Sequence, residues 1–158
     1  YTRALVSGLN DELTAYQRLL NILIEQYRLM SRHCTDELTV LNERETQLLA
    51  LLYQKSKYRS QILKQMGFDA TEKGMAGFIE TLPEKLRAKV DEVWHKIYHQ
   101  LRLCQAQNEQ NSRLLASQKD TLNRLCCTMK VNKHCNIYER RCPSQILYVI
   151  LHSHQFKK

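Results

Sequence analysis

Across residues 9–66 no glycine or proline interrupts the chain, and its apolar residues return in alternating steps of four and three. That spacing keeps them on one face of an α-helix, whereas a half-buried strand would alternate every second residue. The seam runs through Leu9, Leu13, Tyr16, Leu20, Leu23, Tyr27, Met30, Cys34, Leu38, Leu41, Leu48 and Leu52, with Glu45 in the slot between Leu41 and Leu48. Two consecutive steps of four, Met30 to Cys34 to Leu38, form a stutter that locally relaxes a left-handed supercoil. Residues 31–36 are weak helix formers, and Thr35 or Asp36 could cap a fresh start. Because the seam crosses this point in phase, a continuous or kinked helix is the expectation.

Gly67, in the sequence Met66-Gly67-Phe68-Asp69, is placed to end this element as a left-handed cap. Residues 71–80, with Gly74 and Gly77, suggest one or two helical turns in a connector. Pro83 then opens a second long element at its first turn, where a missing N–H costs nothing. Its seam reads Leu86, Val90, Val93, Ile97, Leu101, Cys104 and later Leu122, Leu125 and Met129, with a second stutter at Val93–Ile97–Leu101. As one helix, residues 84–129 would be about 70 Å long. Such a rod must pack lengthwise against residues 9–66, antiparallel across the connector. Burial of each seam leucine stabilises that pairing by roughly 1.5–3 kcal/mol. The expected fold is all-α: an elongated antiparallel helical bundle or coiled-coil hairpin of two to three long helices plus a short connector helix. Residues 1–130 would form this body, and residues 131–158 a basic, irregular tail.

Midway along the second long element the apolar face turns polar. Cys104, Asn108, Asn111, Leu115, Gln118, Leu122 and Leu125 step by four and three, so two Asn and one Gln occupy seam positions. A buried amide left unpaired costs roughly 1–3 kcal/mol. A helix that carries three of them either uses the amides to fix register or leaves the face open to a partner. Both readings point to binding and away from catalysis.

Nothing in the composition offers an enzyme or a membrane protein. The chain is 43% apolar and 25% charged, which excludes compositional disorder. No run of about 18 apolar residues is present, and no signal-peptide pattern opens the chain. The six cysteines form no C-x-x-C pair, so free cytosolic thiols are expected, with Cys34 and Cys104 acting as small hydrophobes on the seams. Cys126, Cys127, His134, Cys135 and Cys142 contain zinc-ligand types, but at no known four-ligand spacing. Glu92-x-x-His95, with His99 one turn on, has the form used in di-iron bundles but lacks the second copy that such a centre needs. No nucleophile elbow, phosphate loop or H-E-x-x-H is present. No catalytic residue, metal or cofactor is therefore assigned.

The net charge of +8 is uneven, because residues 130–158 hold six basic residues against Glu139 alone. That tail could attract an acidic partner or nucleic acid, although tails of this kind are commonly just solvated. The basic-aromatic run Tyr53-Gln54-Lys55-Ser56-Lys57-Tyr58-Arg59 could touch phosphates, but its ordinary reading is a solvated helix face with snorkelling side chains. Residues 146–151, Ile-Leu-Tyr-Val-Ile-Leu, are an apolar run of six and need cover from the body, another chain or a partner.

Several motifs resemble the FlgN family of flagellar export chaperones. Gln54-Lys55, then Tyr58-Arg59-Ser60-Gln61-Ile62-Leu63 and Gly67-Phe68, are similar to the middle of that family, followed by Trp94. The stretch from Cys104 to Leu115, containing Asn108-Glu109-Gln110-Asn111-Ser112-Arg113, resembles its N-x-x-N-G-R core, with Ser112 in place of the glycine. Ile137-Tyr138-Glu139-Arg140 looks like its terminal aromatic motif. The resemblance covers roughly residues 10–140, and from Arg141 onward nothing matches. It implies a cytoplasmic chaperone of the type III flagellar export system, with hook–filament junction proteins (FlgK/FlgL-like) and the export gate as partners. No membrane insertion, small-molecule substrate or nucleic acid is implied.

Together with the polar-interrupted face, the resemblance makes Asn108, Asn111, Leu114, Leu115, Gln118, Leu122 and Leu125 the expected client stripe. It makes Tyr138 the expected contact with the gate. For Tyr138 the alternative is packing back onto the helical body, and for the whole chain it is a self-associating coiled-coil scaffold.

Overall fold

The computed structural model describes residues 2–128. They form four helices: α1 (Thr2–Ser31), α2 (Thr35–Gln65), α3 (Glu72–Glu80) and α4 (Glu84–Thr128). No strand occurs among the described residues, and none of their helices is long and apolar enough to cross a membrane. Three long helices and one short connector make up the helical bundle that the heptad spacing predicts.

The expected continuity across residues 31–36 is not found. His33 adopts a left-handed φ of 57°, its N–H donates to the Met30 carbonyl, and the Cys34 N–H reaches back to Leu29. These two bonds are the Schellman termination, here without the usual glycine. An in-phase seam could not reveal the break, because α1 and α2 each bury a face of the same four-and-three spacing after the chain turns back. Neither Thr35 nor Asp36 caps the new helix; Cys34 takes the N-cap position and makes no side-chain cap bond. Asp36 and Glu37 fall in the first turn, where they favour the helix dipole.

Gly67 ends α2 as expected, with φ 83° and the same bond pair from Gly67 and Phe68 to Lys64 and Leu63. Thr71 caps α3 by accepting the Gly74 N–H at 3.1 Å. Gly74 has no room for a side chain, since a Cβ there would run into the Asp69 backbone. Pro83 sits one residue before α4, and its carbonyl accepts from Leu86 and Arg87 at 2.8 Å. The Arg87 guanidinium donates back to the Glu80 carbonyl at 2.7 Å, which pins the α3–α4 corner.

Partners across the helices define the topology. Glu12 meets Arg59 and Gln26 meets Glu45, so α1 and α2 are antiparallel. Cys104 meets Tyr16, Asn111 meets Leu23 and Gln118 meets Met30, each pair offset by 88 residues. A constant offset means that α4 runs parallel to α1. It is therefore antiparallel to α2, the long helix that precedes it across the connector, yet most of its packing is on α1.

The core gathers Leu5, Leu9, Tyr16, Leu19 and Leu23 of α1, Leu49, Leu52, Ile62 and Leu63 of α2, and Val90, Ile97, Leu101 and Cys104 of α4. Met75, Phe78 and Ile79 of α3 join it, with Phe68 edge-on to Phe78 at 6.0 Å. On α1 the buried line is Leu5, Leu9, Glu12, Tyr16, Leu19, Leu23, Gln26 and Met30. Leu13 and Leu20 lie at its margin, and Tyr27 is exposed. On α2, Leu49 rather than Leu48 is fully buried, and Glu45, Ser56 and Arg59 share the inward face with it.

Candidate partner-binding surface

Two polar clusters inside the bundle position α4. In the lower cluster the buried Arg59 guanidinium donates to the Glu12 carboxylate and lies 5.2 Å from the Trp94 ring of α4. Burial raises the Glu12 pKa, against the opposing pull of Arg59. Burial likewise raises Tyr16 and pushes the Cys104 thiol up to about 12, so both stay neutral. The basic-aromatic run is therefore taken apart by the fold. Arg59 points inward and Lys55 pairs with Asp11 at 2.9 Å, while the Lys57 side chain is exposed and makes no ion pair among the described residues.

The upper cluster joins all three long helices. Gln26 of α1 donates to Glu45 at 2.5 Å and to Asn42 at 2.9 Å on α2, and its oxygen lies 3.4 Å from the Asn111 amide of α4. The Asn111 amide also donates to the Leu23 carbonyl at 2.8 Å, while Gln107 donates to the Asn111 oxygen at 3.1 Å. One heptad on, Gln118 donates to the Met30 carbonyl at 2.9 Å, at the C-terminal turn of α1. Glu45 is buried, and that burial raises its pKa, partly offset by the Gln26 hydrogen bond.

The expected stripe is thus divided. Asn111 is in the bundle interior and committed to α1, and Gln118 is half-buried against the end of α1. Asn108, Leu114 and Leu115 are half-buried along the α4 margin. Leu122 and Leu125 are 40% and 53% exposed. The cause is length. At the 88-residue offset α1 ends level with position 119, and α4 continues to Thr128, roughly 14 Å further at 1.5 Å per residue. Every residue from 119 to 125, and Cys127, is exposed there. Leu115, Gln118, Leu122 and Leu125 continue the track that α1 occupies lower down, but beyond α1 it is open.

Residues missed from sequence are Gln26 and Gln107. Gln26 lies three residues beyond Leu23 and four before Met30, the seam step itself, but the apolar Tyr27 beside it looked the better seam residue. Tyr138 lies outside the described residues, as do His134, Cys135 and Cys142 of the cysteine–histidine group. Among the described residues no cluster of three His, Cys, Asp or Glu is placed to hold a metal. Glu92 and His95 face outward: Glu92 pairs with Lys96 at 2.6 Å, which lowers its pKa, and His95 contacts Asp91.

A parallel α1–α4 pair held in register by amides, with a projecting apolar end, is the geometry on which the comparison with known families bears. A family model described as FlgN protein matches residues 1–141. The chain belongs to the FlgN family. Membership gives it the general role of a flagellar export chaperone, a protein-binding and not a known catalytic activity. Comparison with curated proteins and with solved structures returned no match. In this FlgN-family chain, Leu122 and Leu125 at the end of α4 are among the exposed large apolar side chains of the described residues.

Proposed function

We propose that this protein is a cytoplasmic type III export chaperone that captures the C-terminal helices of hook–filament junction proteins (FlgK/FlgL-like). It holds them unpolymerised and delivers them to the export gate. One observation carries the reading: α4 extends past α1 with Leu122 and Leu125 exposed on the face that α1 covers below. A client helix laid end-on to α1 would continue along that track, with Leu114, Leu115 and Asn108 flanking it. Asn111 and Gln118 would hold α4 in the register that presents it. Covering each exposed leucine contributes on the order of 1–2 kcal/mol, enough for helix-alongside-helix recognition of weak to moderate affinity. Tyr138, ten residues beyond α4, supplies an aromatic anchor for the gate, separate from client capture.

The test is calorimetric titration of a client C-terminal helix into Leu122→Ala/Leu125→Ala protein. Affinity should fall about tenfold or more while helix content by circular dichroism stays at the parent value. Unchanged affinity would remove the stripe. Tyr138→Ala should bind the same helix normally yet export less subunit in cells, and normal export would remove the gate contact.

A further inference from the structure

We infer that the open end of α4 is a self-occupied site, with the chain's own apolar run, residues 146–151, seated on it until a client displaces that run. The seat is defined by the helices. Past the level of Ser31 neither α1 nor α2 lies beside α4, and Leu122 and Leu125 keep 40% and 53% of their surface. The occupant is defined by the sequence. Ile146, Leu147, Tyr148, Val149, Ile150 and Leu151 form a run of six apolar residues, equalled only by Leu48 to Tyr53 within α2, and they fall beyond residues 1–141, the part matched by the family model. This property therefore belongs to this chain and is not one the family supplies.

Geometry favours this occupant over others. Seventeen residues lie between Thr128 and Ile146, a chain length that can span up to roughly 60 Å at about 3.3–3.6 Å per residue. The open track is about 14 Å long, so the run reaches it without strain. Pro143 lies between α4 and the apolar run, and a proline disfavours an uninterrupted helix across it. The intervening segment carries Lys130, Lys133, Arg140 and Arg141, which favour water over an apolar seat. Pairing of two copies through the α4 ends alone would engage only about nine residues from each. Stable interfaces use roughly 20–30 a side.

A tethered occupant has an effective concentration in the millimolar range. Where the intrinsic dissociation constant of the seat is about a tenth of that concentration, roughly ten sites are closed for each one open. Apparent client affinity is then about tenfold below its intrinsic value.

The experiment places the photo-crosslinker p-benzoylphenylalanine at position 125 of the full chain, irradiates it at low micromolar concentration and maps the products by mass spectrometry. The expected product is an intrachain link to the peptide bearing residues 146–151, abolished by Leu147→Asp/Ile150→Asp. Links between chains, links to residues 2–118 or no link overturn the proposal. The second arm rests on the client reading: the same double Asp variant, without the crosslinker, should bind a client helix about tenfold more tightly than the parent. Equal or weaker binding counts against self-occupancy. A helix that binds neither form refutes the client reading and leaves the crosslink to decide the seat.

Discussion

Replacement of Arg59 by Met tests whether the lower cluster is held by a true buried ion pair. In the parent, Arg59 is 7% exposed and donates to Glu12, which is 2% exposed, so neither charge can turn to water. Removal of the guanidinium leaves a buried carboxylate without its partner, a change that typically costs 3–5 kcal/mol. The loss includes the Trp94 contact, worth about 0.5–2 kcal/mol.

The cost must depend on pH. Burial raises the Glu12 pKa above the ordinary 4.5 even with Arg59 opposing it, so loss of Arg59 moves the folded pKa further up. A group raised in the folded state stabilises below the unfolded pKa, and that stability is lost as pH climbs through the folded one. The lost stability is about 1.4 kcal/mol per pH unit across that window. The difference between parent and Arg59→Met should therefore be on the order of 1–2 kcal/mol near pH 4 and reach 3–5 kcal/mol by pH 7–8. Glu12→Met/Arg59→Met removes both charges and should lie within about 1–2 kcal/mol of the parent near pH 7, with a flatter pH profile because the raised Glu12 carboxyl is gone. Urea titrations at 222 nm, repeated from pH 4 to pH 8, give all three curves. A penalty that is the same at every pH would refute the reasoning, because it would mean that only packing was lost.

Glu45→Gln should keep the Gln26 hydrogen bond but remove a carboxyl that burial holds above its usual range. Stability should rise near pH 7.5, be unchanged near pH 4 and show a flatter pH profile in the same titrations. At the α3 corner, Gly74→Ala should cost about 1–3 kcal/mol by forcing backbone apart. Gly77→Ala, whose Cβ would meet the Phe68 ring at an ordinary 3.6 Å, should gain up to about 1 kcal/mol of helix propensity; thermal melts of both variants compare the signs. His33→Gly should stabilise the protein by about 1 kcal/mol by relieving the positive φ, read as a raised urea midpoint at constant slope.

Local rules settled much of this molecule before any packing was considered. Steps of four and three require helices, and the φ > 0 that a Schellman turn needs marks Gly67 as an end. Pro83 marks a beginning because a proline at that point gives up no backbone bond. The 45 residues of α4 follow from a long stretch free of Gly and Pro, and its polar seam is visible from Asn108, Asn111 and Gln118 alone.

Tertiary structure decided which line of each helix turned inward. On α1 the choice lay between Leu13, Leu20 and Tyr27 and the neighbouring Glu12, Leu19 and Gln26, and hydrophobicity alone favours the first set. The second is buried because its polar members have partners far along the chain, Arg59 for Glu12 and Glu45 and Asn111 for Gln26. A buried polar group is tolerated only where a partner meets it, and no local pattern shows where a partner 47 residues away will lie. Tertiary structure also divided the α4 stripe. Asn111 and Leu125 stand on the same heptad line two turns of the repeat apart, yet one is sealed and the other open. The difference is that α1 stops at Ser31, where His33 turns the chain back.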